Sequence, residues 1–112
     1  MSIAAQVVEQ PIRIVKPPSL TRVGSTLFLK CEVTERQSVE WLLNNKPIDE
    51  SVFQVNRYIN EPSGLSVSEL TKESVTMKDE GTYLCRNQAR PGQSYNVIVN
   101  VFDSKYADGW LK

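Results

Sequence analysis

Histidine is absent from this 112-residue sequence. Because histidine is the usual general base near neutral pH and the commonest metal ligand, its absence argues against most hydrolytic and metal-dependent mechanisms. The sequence also contains no phosphate-binding glycine loop, no dinucleotide-binding fingerprint and no nucleophile paired with a base. We therefore expect a protein that is not an enzyme and has no catalytic residues, no bound metal and no cofactor.

An excess of charge and a long apolar segment are absent as well. The 13 lysine and arginine residues balance 13 aspartate and glutamate residues, so no basic surface for nucleic acid is expected. No apolar run is long enough to span a membrane. Residues 1–10 contain neither a basic segment nor a long apolar one, so we expect no secretory signal peptide in that stretch.

Cysteine is scarce, since only Cys31 and Cys85 occur. A zinc site needs about four ligands with short spacings between them, and one distant pair does not supply them. A disulfide is the better interpretation, and it implies an oxidising compartment. The alternative is a reduced pair that packs in the core as small hydrophobic side chains.

Apolar residues recur at every second position in several segments. The alternation is clearest in residues 27–33, 38–42, 82–86 and 96–101. A period of two indicates strands with one buried face, and clusters of proline, glycine and asparagine separate them. The sequence therefore predicts a single all-β domain, a sandwich or a barrel.

A more specific pattern joins Cys31 and Trp41 to the run Asp79-x-Gly81-x-Tyr83-x-Cys85. This combination resembles the immunoglobulin superfamily. The resemblance implies an immunoglobulin-like β-sandwich of two antiparallel sheets, with one inter-sheet disulfide between Cys31 on strand B and Cys85 on strand F. It also implies that Trp41 of strand C packs on the bridge and that Tyr83 forms the tyrosine corner.

The resemblance covers residues 10–102 and is closest to intermediate-set (I-set) members. The run W-L-L-N-N-K-P-I is similar to their strand C and C–C′ turn. Residues 12–15 would be strand A, and two prolines after it would let the chain cross to the other sheet. We expect an N-terminal extension at 1–9, the immunoglobulin-like domain at 10–102 and a tail or linker at 103–112. The tail would fold back, begin another domain or contact a partner.

Two details around strand E depart from the family pattern or depend on it. Lys72 occupies a position where family members often have an apolar residue. We expect either that Lys72 lies near a strand end and extends its ammonium group to solvent, or that a bulge shifts the register. By similarity to some family members, Asp79 would pair with Arg57 at the end of the sandwich.

The alternation also predicts which side chains of strands C, F and G lie outside the sandwich. Because these strands are neighbours in the implied fold, Leu42, Leu84 and Ile98 would form one apolar stripe. The polar residues expected around it are Glu40, Arg86, Asn96 and Asn100. An apolar patch with a polar rim is typical of a protein interface, although scattered surface aliphatic residues are also ordinary.

The F–G loop, residues 88–94, is a second candidate contact. Arg90 near its tip is suited to a specific polar contact, because loops on a rigid scaffold often carry recognition. The alternative is a solvated turn that Pro91 and Gly92 make rigid.

Two functions are compatible with these observations. The favoured hypothesis is a recognition module of an extracellular adhesion or receptor protein, on the cell surface or secreted. Its partner would be another immunoglobulin-type or cell-surface protein, or a second copy in a two-fold homodimer. The alternative is a structural I-set spacer of an intracellular muscle-type filament protein. The cysteine pair favours the first, and the lack of an Asn-x-Ser/Thr sequon favours the second.

Overall fold

The computed structural model describes residues 11–15, 17–18, 20–34 and 37–103. The expected extension at 1–9, and the expected tail apart from residue 103, lie outside this range. Within it, no helix is both long enough and apolar enough to cross a membrane.

The described residues form ten short strands and a single 3-10 turn at Met77–Asp79. The strands are β1 (Ile12–Val15), β2 (Thr21–Arg22), β3 (Leu27–Val33), β4 (Val39–Leu43), β5 (Lys46–Pro47), β6 (Gln54–Asn60), β7 (Leu65–Lys72), β8 (Gly81–Asn87), β9 (Ser94–Val99) and β10 (Val101–Phe102).

Two four-stranded antiparallel sheets form the sandwich. The first sheet has the order β1-β3-β7-β6, and the second has the order β9-β8-β4-β5. The short strands β2 and β10 pair in parallel, with Val101 opposite Thr21. The chain thus leaves the first sheet after β1 and joins the strand that continues β9. This architecture confirms the predicted all-β immunoglobulin-like sandwich, in which β3, β4 and β8 are strands B, C and F.

Two links join the sheets side by side in the core. The Cys31–Cys85 disulfide connects β3 with β8, which confirms the inter-sheet bridge. Trp41 of β4 lies opposite Cys85 of β8, and Ser68 of β7 lies opposite Cys31 of β3. The Trp41 indole Nε1 donates a hydrogen bond of 2.9 Å to the Ser68 hydroxyl. The indole nitrogen is therefore satisfied inside the core, as a buried donor must be.

A glycine and two asparagines shape the strand ends next to this core. Asn44 and Asn45 have φ values of 52° and 68°, as the two-residue hairpin between β4 and β5 requires. Gly81 begins β8 with φ +155°, and a Cβ there would lie 2.6 Å from the Asn44 side-chain oxygen. That oxygen instead accepts a hydrogen bond from the Thr82 backbone N–H, at 3.0 Å.

The end of the sandwich at the turn between β7 and β8 is organised around the buried carboxylate of Asp79. Its Oδ2 accepts hydrogen bonds from Lys72 Nζ at 2.7 Å and from the Thr76 backbone N–H at 2.8 Å. The Asp79 carbonyl accepts a 2.5 Å hydrogen bond from the Tyr83 hydroxyl. Lys72 also lies 5.8 Å from the centre of the Phe53 ring, which suits a cation.

These contacts correct two expectations. Lys72 is the last residue of β7, and the register with β3 is continuous, so the bulge alternative is wrong. Its side chain is only 14% exposed, and its ammonium group pairs with Asp79. The expected Asp79–Arg57 pair is also wrong, because Lys72 lies at the strand end beside the Asp79 turn and takes the carboxylate. Arg57 pairs with Glu50 instead, at 3.2 Å.

We predict that Asp79→Ala lowers the free energy of unfolding by about 2–4 kcal/mol, because it leaves a mostly buried ammonium group and a backbone N–H without their acceptor. Chemical denaturation of the oxidised protein measures the change. Glu50→Ala is the matched control and should cost less than about 1 kcal/mol, since its pair with Arg57 is largely exposed. Equal losses in the two variants would contradict this account.

The Tyr83 phenol leads to a pH-dependent prediction. Burial, and secondarily the Asp79 carboxylate, raise the pKa of Tyr83 above its ordinary value. An unfolded tyrosine ionises near pH ~10, so above that pH the unfolded state binds fewer protons and the folded state loses stability as pH rises. We expect this alkaline loss to be smaller in Tyr83→Phe than in Tyr95→Phe, measured by denaturation from pH 7 to pH 11. An identical decline in both would argue against it.

Candidate protein-binding face

The outer face of the second sheet is built from three rows of outward side chains. Pairing places Ser94 opposite Arg86, and Arg86 opposite Glu40. The middle row contains Asn96, Leu84, Leu42 and Pro47. In the third row, Ile98 lies opposite Thr82 of β8. Asn44 follows on the other side of Thr82, and the Asn44 backbone N–H donates a hydrogen bond of 2.9 Å to the Thr82 carbonyl. We call this surface the C-F-G face, because β4, β8 and β9 are strands C, F and G.

The three expected aliphatic residues do not form one exposed stripe. Leu42 is only 7% exposed, so the expectation that it contributes an open apolar surface is wrong. Leu84 and Pro47 lie directly opposite it on the two neighbouring strands and flank its side chain. Leu84 is half-buried, whereas Ile98 is 64% exposed. Because cross-strand diagonals remain within contact reach, Ile98 and Leu84 form a smaller apolar centre.

The polar residues around this centre are uncharged or already paired. The Arg86 guanidinium donates from Nε to the Glu40 carboxylate at 2.8 Å, and its Nη2 contacts the same oxygen. Both side chains are about one-third exposed. Asn96 and Asn100 are exposed, as expected for the rim. The face is therefore nearly neutral, with hydrogen-bonding groups surrounding Ile98.

The F–G loop at the edge of this face is held by the side chain of Asn87, which is 0% exposed. Its Nδ2 donates to the side-chain oxygens of Gln37 and Gln93, the latter at 3.0 Å. Its Oδ1 accepts from the Ala89 backbone N–H at 2.9 Å. One buried amide thus ties both ends of the loop to the segment before β4.

Backbone hydrogen bonds complete this loop. The Arg90 N–H donates to the Asn87 carbonyl at 3.2 Å, and the Arg90 carbonyl accepts from the Gln93 N–H at 2.8 Å. Arg90 itself is exposed. Sequence reasoning named Arg90 but missed Asn87. Alternation from Cys85 places Asn87 on the buried side of β8, and a buried amide signals a hydrogen-bond network.

The outer face of the first sheet has a different character. Arg13 pairs with Glu32 at 3.2 Å. Glu69 accepts hydrogen bonds from the Tyr58 hydroxyl at 2.8 Å and from Asn56 at 3.3 Å. The bond to Glu69 raises the pKa of Tyr58. This face therefore carries an ion pair and a hydrogen-bonded carboxylate, and it also exposes the aromatic rings of Phe28 and Tyr58.

Neither face contains a metal-binding cluster. Across the described ranges, no three Asp, Glu, Cys or His side chains lie close enough together to hold an ion. The Cys31 and Cys85 sulfur atoms are joined in the buried disulfide.

The family model described as "Immunoglobulin domain" matches residues 11–88 of this chain. No curated protein sequence is similar enough to count as a relative.

Solved structures with the same fold have little sequence identity to this chain. A chain from the complex of Dpr2 Ig1-Ig2 with DIP-Theta Ig1-Ig3 has a TM-score of 0.67 and 18% identity, covering 90% of this chain and 53% of that one. The structure of the N-terminal eight Ig domains of Down Syndrome Cell Adhesion Molecule has a TM-score of 0.63 and 24% identity, and the match covers 83% of this chain and 12% of that one. A titin fragment has a TM-score of 0.57 and 22% identity, and the match covers 85% of this chain and 46% of that one. These similarities show the fold, and the chain spans about half or less of each structure.

We predict that Asn87→Ala loosens the F–G loop more than the rest of the domain, because it removes three hydrogen bonds that converge on one buried amide. Hydrogen exchange should show faster exchange at the amides of Ala89 and Gln93, with smaller changes at β3 and β7. Gln88→Ala, at an exposed neighbouring position, is the control and should leave loop exchange unchanged. A uniform rise across all strands would mean that Asn87 only supports global stability.

Proposed function

The chain belongs to the immunoglobulin domain family, and we propose that it is a non-enzymatic protein–protein recognition module of a cell-surface or secreted protein. The proposed contact surface is the C-F-G face, with the F–G loop at its edge. The observation that carries the proposal is the contrast between the two outer faces. The outer face of the first sheet carries charged side chains on three of its four strands, among them Arg13, Lys30 and Glu69, whereas the C-F-G face presents an exposed isoleucine within a nearly neutral, hydrogen-bonding surround.

The composition of the C-F-G face suits a protein partner. Interfaces combine an apolar centre, depleted in charge, with a polar rim that excludes water. Ile98 and Leu84 would supply the centre, and Asn96, Thr82 and Ser94 the rim. Because the Arg86–Glu40 pair neutralises itself, the partner surface need not carry a matching charge. We therefore expect a partner that is apolar at its centre and uncharged at its edge.

The F–G loop would add specificity to this contact. A loop that is already ordered loses little conformational entropy on binding, so a rigid loop gains affinity through preorganisation. The Asn87 amide provides that order, and it presents Arg90 at the loop tip. Arginine in such a position commonly recognises carboxylate or carbonyl oxygens.

An extracellular location is supported by the disulfide, because such bonds persist in oxidising compartments. The similar structures include a cell adhesion molecule and a complex of two multi-Ig proteins. By similarity to them, we propose that this chain has an adhesion or receptor role and that its partner is an immunoglobulin-type or cell-surface protein. A two-fold homodimer through the C-F-G face is a special case, in which the partner surface is the same face.

The alternative is a structural spacer in an intracellular filament protein. The similarity to a titin fragment supports it at the level of the fold. A spacer needs no contact surface beyond its junctions with neighbouring domains, and in a spacer Ile98 would be an ordinary exposed aliphatic residue. Substitution of that residue distinguishes the two functions.

We predict that Ile98→Asp weakens partner binding at least about tenfold, because it places a charge at the desolvated centre of the interface. Phe28→Asp is the matched control, since Phe28 is a similarly exposed apolar residue on the opposite sheet. Multimerised wild-type domain would first be used to screen purified cell-surface and secreted proteins. Affinity for the identified partner would then be measured for each variant, and sedimentation would report self-association.

Both substitutions affect exposed side chains and should leave the melting temperature nearly unchanged. Full binding by Ile98→Asp, with loss in Phe28→Asp, would move the interface to the first sheet. A wild-type domain that binds none of the screened proteins and remains monomeric would favour the spacer function.

A further inference from the structure

A cleft of about 240 Å³ opens on the side of the sandwich, between the start of β4 and the pair β6–β7. Its polar lining consists of Gln37, Ser38, Arg57, Tyr58 and Ser66, and aliphatic side chains form the remaining walls. Among the described residues that line it, Arg57 carries the only positive charge and there is no carboxylate. The cleft lies away from the C-F-G face and shares none of that face's residues.

The cleft exists because the two sheets differ in extent on this side. The second sheet ends at β5, which has two residues, whereas the first sheet ends at β6, which has seven. Arg57 is paired with Ser68, whose hydroxyl bonds the core indole, so Arg57 lies on the inward row of β6. An arginine is thus held on the interior side of an edge strand that the opposite sheet does not cover.

The ionic contact of Arg57 is a weak one. Its Nη2 meets a single Glu50 oxygen at 3.2 Å, and the two side chains are 43% and 56% exposed. Exposed pairs of this kind contribute little to stability and are screened by salt, so little free energy opposes a change of partner. Arg57 can therefore accept a carboxylate from outside the domain in place of Glu50.

We propose that this cleft binds the carboxylate of an aspartate or glutamate side chain from a partner protein. Arg57 supplies the charge and the forked donors that match a carboxylate. The hydroxyls of Ser38 and Ser66 are available to add hydrogen bonds, and the aliphatic walls contact the methylene groups of the bound side chain. The volume is below the range of about 300–1,000 Å³ of sites for drug-sized ligands, so a single side chain fits better than a cofactor.

The site can be tested without knowing the partner, by using N-acetylglutamate N-methylamide as the probe. The matched neutral probe is N-acetylglutamine N-methylamide. In a ¹H–¹⁵N NMR titration, the glutamate probe should shift the Arg57 Nε–H signal and the backbone amides of Ser38, Tyr58 and Ser66. The glutamine probe should leave these signals nearly unchanged.

Three variants make the assignment specific. Arg57→Gln should weaken the response to the glutamate probe at least about tenfold. Glu50→Gln should strengthen it by about two- to fivefold, because it removes the competing carboxylate. Arg13→Gln removes an arginine from a comparable exposed pair on the outer face and should have no effect.

Equal responses to the two probes, or an unchanged glutamate affinity in Arg57→Gln, would overturn the proposal. An unchanged glutamate affinity in Glu50→Gln would contradict the proposed replacement of Glu50 by the bound carboxylate. Ile98→Asp should leave the probe response intact, since Ile98 lies on a different surface. The proposal for the cleft and the proposal for the C-F-G face can therefore be contradicted independently of each other.

Discussion

The Cys31–Cys85 disulfide and the Trp41–Ser68 hydrogen bond cross the sandwich at the same level, between neighbouring pairs of strands. The bridge contributes about 4 kcal/mol in the chain-entropy model, by closing a long loop in the unfolded chain. The hydrogen bond satisfies an indole N–H that the bridge leaves buried beside it. Together they tie four central strands to one register, and a one-residue slip in any of them would turn its buried residues outward.

The identity of the outward rows follows from that register. With Cys85 and Trp41 inward, Leu84, Arg86, Glu40 and Leu42 have to lie on the outer face of the second sheet. Whether each is accessible depends on its cross-strand neighbours. Leu42 has neighbours on both sides and is buried, whereas Ile98 lies on a strand with only one hydrogen-bonded neighbour in its sheet and is open to solvent. The proposed recognition surface therefore centres on β8 and β9.

Lys72, and not Arg57, pairs with the buried carboxylate of Asp79. Lys72 ends β7 a few residues before Asp79 and reaches it across a short turn, with the Phe53 ring beside its ammonium group. Arg57 is left at the open side, with an exposed partner. Arg57 also occupies an inward position on an edge strand, where a charge is one of the features that oppose pairing with another strand.

The sequence alone determined the fold class, because alternation with a period of two indicated an all-β domain. The resemblance carried by Cys31, Trp41, Tyr83 and Cys85 then implied the immunoglobulin-like sandwich. The sequence also identified the residues that belong to the C-F-G face, since sidedness follows from the same period. It did not determine that Leu42 is covered, that Lys72 rather than Arg57 holds Asp79, or that Asn87 joins the ends of the F–G loop. Those outcomes depend on distances between segments far apart in the chain. Alternation gives the side on which a residue lies, but only the packed sandwich decides which of several charged or polar groups is near enough to form each contact.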